Sequence, residues 1–190
     1  MAAKRVRKIV GLLAAVSLVA VSACGPEEGR TGSGGSGGTE IGESCEEGLC
    51  PDEAIIEGVL QAVNEARSSE TDCGQYGVLP AVGPVTGDAL LHQASHAHTI
   101  DMRDNDFFSH TGSDGSSFSQ RINDTGYSGS PVGENIAGGG TEPAGVVARW
   151  IDSDGHCRNI MNGSANQIGV GYVSGGQWGS LWTLKLASGS

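Results

Sequence analysis

Two histidines and one glutamate are the side chains of this 190-residue chain best suited to chemistry. His110, Glu134 and His156 lie 24 and 22 residues apart. Each stands among glycines and serines, in segments that we predict as loops or ends of elements, where side chains can converge on a cleft. Two imidazoles and a carboxylate suit a divalent cation such as Zn²⁺, and they also suit general acid–base catalysis near neutral pH. The structural alternative is that the three only hydrogen-bond the loops together.

Other polar residues are predicted to have structural roles. His92 and His96 are four residues apart on a predicted helix, a spacing that a pair of metal ligands can have. The glutamate of the HExxH motif is missing, however, and both histidines face away from the apolar side of the helix, so we expect them in solvent. His98 lies on the apolar side and is expected to be buried and hydrogen-bonded. Ser109 is not part of a G-x-S-x-G nucleophile motif. The glycines at 138–140 match no nucleotide-binding pattern.

The charge balance excludes nucleic-acid binding. Lys and Arg number 11 against 22 Asp and Glu, for a net charge of −11. Four of the basic residues and no acid lie within residues 1–23, so residues 24–190 carry −15, and Lys185 is their sole lysine. Such a chain cannot build the basic surface that phosphate backbones require.

The N-terminus has the pattern of an export signal. A basic segment over residues 1–8 precedes the apolar run Ile9–Val21, which is short for a membrane span. The residues Val21-Ser22-Ala23-Cys24 resemble a bacterial lipobox, which predicts lipid on Cys24, a mature chain that begins there, and a membrane as partner. The location would be the outer membrane where one exists, and otherwise the outer leaflet of the plasma membrane. The alternative is an ordinary secretory signal ending at Ala23, with a secreted product.

Residues 24–53 are predicted to be a lipid-anchored flexible tether, because they are rich in Gly, Ser and Glu and offer no apolar face. Beyond Cys24 the chain has four cysteines, an even number that favours two disulfides in an exported protein. Three pairings are open from the count alone. The four are Cys45, Cys50, Cys73 and Cys157.

Residues 54–190 are predicted to form one α+β domain, with helices packed on a small sheet. Residues 128–140 are glycine-rich, and we predict neither a helix nor a strand there. The tryptophans Trp150, Trp178 and Trp182 are expected in the core. Helices are predicted over 54–69, 88–104, 116–123 and 141–153, and an antiparallel hairpin over 167–173 and 178–186.

A series of short motifs in a fixed order resembles the CAP superfamily of cysteine-rich secretory, antigen 5 and pathogenesis-related 1 proteins, and is most similar to its bacterial secreted branch. The resemblance covers residues 58–186 and implies an α-β-α sandwich with a shallow cleft, an extracellular location and a Cys73–Cys157 disulfide. The motifs are Asn64-x-x-Arg67, His98-x-x-Asp101-Met102, Phe107-Phe108-Ser109-His110, Asp114-Gly115, Gly133-Glu134-Asn135-Ile136-Ala137, Trp150, Ser153, Gly155-His156-Cys157-Arg158-Asn159-Ile160-Met161 and Gly169-Val170-Gly171-Tyr172.

The resemblance also implies a site. Larger eukaryotic members carry two His and two Glu, of which three match His110, Glu134 and His156. The second Glu is replaced by Ser153, so a site for Zn²⁺ or another divalent metal is expected to be weak here. Ser109, Asn135 and Ser153 are expected to support the cleft.

The function expected from these features is an envelope-anchored module that binds an envelope or extracellular ligand in its cleft. One alternative is a hydrolase of cell-envelope or extracellular polymers, against which the missing second acid counts. Another is a structural surface protein. The fold alone does not choose among them, because one fold supports many activities.

Overall fold

The computed structural model describes residues 50–189. The export signal, the lipidation site at Cys24 and the tether before residue 50 therefore lie outside the described residues. None of the helices within 50–189 has the length and apolar character needed to cross a membrane. The helices are α1 (Glu53–Arg67), α2 (Ala89–Asp104), α3 (Phe118–Asp124), α4 (Pro143–Ile151) and α5 (Asp154–Ile160), and the strands are β1 (Thr71–Asp72), β2 (Val78–Leu79), β3 (Thr86–Gly87), β4 (Ser130–Gly138), β5 (Gln167–Ser174) and β6 (Ser180–Ser188).

Helix starts follow local capping chemistry. The Asp88 side chain accepts a hydrogen bond from the Leu91 N–H at 3.0 Å and so caps α2. Ser117 and Gln120 form a reciprocal capping box at the start of α3. The predicted helix to residue 153 instead ends at Ile151, and the short helix α5, which was not predicted, follows it.

The main sheet has the strand order β3-β5-β6-β4. Strands β5 and β6 pair antiparallel, which confirms the predicted hairpin, and β4 pairs antiparallel with β6. The prediction for residues 128–140 was wrong, because most of this glycine-rich segment is strand β4. Its polar centre and a bulge between Pro131 and Gly133 obscure the two-residue alternation that identifies a strand.

The two faces of the sheet carry different helices. Ile168 and Val170 of β5 belong to the large core together with Val63 of α1 and Trp150 of α4. The alternate residues of β5 face α2. Helices therefore cover both faces, which confirms the α-β-α sandwich.

Helix α2 buries a wider face than predicted. His98 is buried and hydrogen-bonded to the Ser109 carbonyl, as predicted. Leu90, on the predicted apolar side, is exposed, and His92 and His96 are buried rather than solvated. The cause lies in β5, where Gly169 and Gly171 let the helix backbone approach the strand directly. A Cβ on Gly169 would lie 2.0 Å from the Leu91 carbonyl.

Gly169→Ala is expected to destabilise the domain by about 1–3 kcal/mol or more, because the clash is between backbone segments that cannot repack locally. Chemical denaturation measures the change. Gly83→Ala is the matched control, since a Cβ there meets no atom within 4 Å. Equal stability of the two variants would contradict the close approach.

The predicted Cys73–Cys157 disulfide is present, with a Cα–Cα distance of 5.4 Å. It links the segment after β1 to α5. Cys50 is also disulfide-bonded, whereas Cys45 lies outside the described residues.

The Arg67 side chain fixes the chain segment that follows α5. It is buried, and it donates to the carbonyls of Gly83 at 2.8 Å and Ala165 at 2.8 Å, besides that of Ile160. This motif arginine therefore has a structural role.

Candidate functional site

Glu134 is the centre of the site, and it lies in the middle of strand β4 rather than in a loop. Its side chain is only 1% exposed. Oε1 accepts a hydrogen bond from His110 Nδ1 at 2.9 Å, and Oε2 accepts one from the Arg121 guanidinium at 3.0 Å. Oε2 also contacts the Lys185 ammonium. His98 Nε2 lies 4.0 Å from Oε1. The carboxylate is thus surrounded by two imidazoles and two cations.

Lys185 reaches Glu134 from the neighbouring strand, because the two residues are directly paired across β4 and β6. Its side chain is completely buried. No motif of the sequence predicts a role for Lys185 in the site. One signal in the sequence could have identified it. Lys185 is the sole lysine of residues 24–190 and lies between Leu184 and Leu186 in a predicted strand. A lysine in such a buried position requires a partner of opposite charge.

Arg121 was also missed, and it connects the site to the loop that carries His110. Its side chain extends from α3 and is 11% exposed. One guanidinium nitrogen donates to the Ser116 carbonyl at 2.7 Å, and the other donates to the His110 carbonyl at 2.9 Å as well as to Glu134. Arg121 therefore holds both the backbone and the carboxylate partner of His110.

His110 is the accessible member of the cluster, with a side chain that is 53% exposed. Its Nδ1 donates to Glu134, and within residues 50–189 no group hydrogen-bonds its Nε2. Ser109 makes two hydrogen bonds within this loop region. Its carbonyl is bonded to His98 Nε2 at 3.0 Å, and its hydroxyl accepts from the Thr111 N–H at 3.0 Å.

His156 lies in α5, which contacts β4 through a second network. The Asn135 amide donates to the His156 carbonyl at 3.1 Å, and Asn159 donates to the Asn135 side chain at 2.9 Å. Ser153 is the N-cap residue of α5 but makes no capping bond through its side chain. Burial lowers the pKa of His156, and electrostatic repulsion from His110 acts in the same direction.

The ionisation of Glu134 is set by opposing influences. Burial alone would raise the pKa of its carboxyl, but the His110 hydrogen bond and Lys185 outweigh burial and lower that pKa to about 2. Burial lowers the pKa of Lys185 to about 8, against the attraction of Glu134. Both groups are therefore charged at neutral pH. Since the carboxylate can only accept, His110 must carry a proton on Nδ1.

The donor set does not fit a divalent metal. Both Glu134 oxygens are bonded to nitrogen donors, two of which carry a full positive charge. Among the residues that the structure describes, no group of three His, Cys, Asp or Glu side chains is arranged to hold a metal ion. Of the expected ligands, His110 and Glu134 form an imidazole–carboxylate pair, and the convergence of His156 on this pair stays a prediction.

Acid is expected to destabilise the domain in a defined window. Burial lowers the pKa of His92 to about 4, and that of His98 to about 4. Between about pH 6.5 and 4 the unfolded chain binds protons that the folded chain does not, so stability falls across this window. Denaturation at several pH values measures the slope.

His92→Gln tests the origin of this slope. The His92 ring accepts a hydrogen bond from the Val170 N–H at 2.9 Å, and Gln supplies an acceptor that does not titrate. The variant should therefore lose less stability than the wild type between pH 6.5 and 4. An unchanged slope would assign the loss to other groups.

Comparison with known proteins gives a consistent family match. A model of the cysteine-rich secretory protein family, CAP, matches residues 60–186. The uncharacterized protein YkwD of Bacillus subtilis is 38% identical over 103 residues, which are 54% of this chain and 39% of YkwD. The uncharacterized membrane protein YlbC of the same organism is 29% identical over 84 residues, which are 44% of this chain and 24% of YlbC. The matched region thus spans less than half of either relative.

Two solved structures share the fold. An extracellular protein of Bacillus anthracis that contains an SCP domain superposes with a TM-score of 0.57 at 21% identity, covering 70% of this chain and 40% of that one. An outer surface protein of Borrelia burgdorferi superposes with a TM-score of 0.60 at 18% identity, covering 74% of this chain and 96% of that one.

Proposed function

This chain belongs to the cysteine-rich secretory protein family, CAP, and from that premise we propose that it is an envelope-anchored module that binds a ligand outside the cytoplasm at the cleft around His110. The single observation that carries the proposal is the half-exposed His110 ring, whose inner nitrogen is held by buried Glu134. The outer nitrogen, Nε2, then offers a fixed lone pair to a ligand. A group held in place in advance binds without the cost of being ordered.

Several features support the proposed location. The lipobox-like residues ending at Cys24 predict export and lipidation. The two solved structures with this fold are an extracellular and an outer surface protein. The Cys73–Cys157 disulfide is typical of an oxidising compartment.

Ligand binding is tested with the full chain purified from its own cells without denaturation. Native mass spectrometry should detect a bound species. His110→Ala should reduce its occupancy about tenfold, because it removes the nitrogen that Glu134 holds in a fixed orientation toward the ligand. Val78→Ala, at an exposed apolar position outside the cluster, is the control. A bound species with the same occupancy in His110→Ala would place the binding site elsewhere.

Anchoring is tested separately. The wild type should fractionate with membranes and show an acylated N-terminal Cys24, whereas Cys24→Ser should not. An unmodified Cys24, or an N-terminus generated by cleavage at another position, would contradict the lipid anchor.

A second candidate is hydrolysis, which the His110–Glu134 pair itself favours. An imidazole oriented by a buried carboxylate can take a proton from water through its free nitrogen. The Ser109 hydroxyl is bonded to a backbone N–H, so water would be the nucleophile. Release of soluble fragments from isolated cell-envelope polymer, lost in His110→Gln, would support this candidate. Binding without release would support the module.

A further inference from the structure

We infer that Lys185 and Arg121 supply the positive charge at the Glu134 carboxylate that a metal ion would otherwise provide, so that this carboxylate does not act as a ligand for divalent cations. This role is separate from ligand binding at His110. It makes Lys185 and Arg121 positioning residues for the Glu134 carboxylate.

The first step is the occupancy of the carboxylate. A carboxylate has about four lone-pair directions. At Glu134, Oε1 accepts from His110 at 2.9 Å and from Arg121 at 3.3 Å, and Oε2 accepts from Arg121 at 3.0 Å and from Lys185. A metal ion could therefore reach this carboxylate only by breaking one of these contacts.

The second step is that neither cation is free to withdraw. Lys185 is fully buried and extends from β6 directly opposite Glu134, so its ammonium has no route to solvent within the folded sheet. Arg121 is tied to the Ser116 and His110 carbonyls. A divalent ion would therefore stand within a few ångströms of two fixed positive charges, in a region of low dielectric where repulsion is strong.

The third step concerns the histidines. His110 uses Nδ1 for Glu134, which leaves only Nε2 for any other partner. His156 lies in α5, whose backbone is bonded to β4 through the Asn135 amide. Two imidazoles without the carboxylate form an incomplete ligand set. Any metal that binds here should therefore do so weakly and independently of Glu134.

The experiment is isothermal titration of the full chain with Zn²⁺ at neutral pH. The wild type should show no binding that depends on Glu134. Lys185→Met and Arg121→Met each remove one fixed charge and free at least one lone pair of Glu134, and each should raise Zn²⁺ affinity at least about tenfold. Adding Glu134→Gln to either variant should abolish the gain. Arg103→Met is the control, because this surface cation pairs with Asp104 instead.

Two results would overturn the inference. One is Zn²⁺ binding by the wild type that is lost in Glu134→Gln. The other is an unchanged affinity in a folded Lys185→Met or Arg121→Met. Circular dichroism shows whether each variant folds. If Lys185→Met is unfolded, Arg121→Met tests the inference, because the Arg121 side chain is partly exposed. The wild-type titration tests the inference even if neither variant folds. A negative result leaves ligand binding at His110 untouched, because native mass spectrometry of His110→Ala measures that separately.

Discussion

Replacing Lys185 with Met is expected to lower the free energy of unfolding by about 3–5 kcal/mol. The side chain is completely buried, so the loss is not screened by solvent. Met fills a similar volume, but it leaves the buried Glu134 carboxylate with one cation fewer. The penalty is that of an undercompensated buried charge rather than of lost packing. Urea denaturation at pH 7 measures it.

A second variant separates these causes. Lys185→Met combined with Glu134→Gln removes both charges of the pair and keeps an oxygen acceptor for Arg121. This double variant should recover most of the lost stability, because the penalty comes from the uncompensated carboxylate. Arg103→Met, at the exposed pair with Asp104, should change stability by less than about 0.5 kcal/mol. If the double variant is no more stable than Lys185→Met alone, packing rather than charge accounts for the loss.

Breaking the Cys73–Cys157 bridge is expected to cost about 2–5 kcal/mol. The bridge spans 84 residues of sequence and both cysteines are buried, so its removal releases a long loop in the unfolded chain. Cys157→Ser and Cys73→Ser should each lower the midpoint of thermal unfolding. Calorimetry of both variants gives the magnitude.

The bridge also has a local consequence, because His156 directly precedes Cys157. Reduction of the wild type should increase amide exchange in α5 more than in α2, which the bridge does not touch. The two serine variants should reproduce this pattern. Equal exchange in both helices would mean that the bridge acts on the whole domain rather than on α5.

Most helices and the hairpin could be predicted because their signals are local. The Asp88 and Ser117 caps and the alternation of β5 and β6 are read from neighbouring residues. Strand β4 was missed because glycines and polar residues fill the segment around Glu134, so local propensity there opposes the strand. Its pairing with β6 determines the outcome.

The buried face of α2 shows a different limit. Its apolar periodicity placed His92 in solvent, but the residues that decide its burial are Gly169 and Gly171, almost 80 positions further along the chain. A helix wheel describes the helix alone. It cannot show that a facing strand lacks side chains and accepts polar residues at close range.

Only part of the candidate site could be predicted from the sequence. Sequence resemblance identified His110 and Glu134, and the structure brings them into contact. Their placement with His156 in a functional cleft stays a prediction. Lys185 and Arg121 could not be found from motifs, because their contact with Glu134 arises from strand pairing and from the packing of α3.

The opposition of Glu134 and Lys185 also bears on how the sheet assembles during folding. Strand β4 lies at the edge of the sheet and contains an irregularity between Pro131 and Gly133, so that its register is set by pairing with β6 alone. Because side chains alternate, a slip by one residue would turn Glu134 toward the apolar face that contains Leu184 and leave its charge without a partner. A misaligned sheet would thus carry a buried, uncompensated carboxylate. The ion pair therefore favours the native register of the edge strand over registers shifted by one residue.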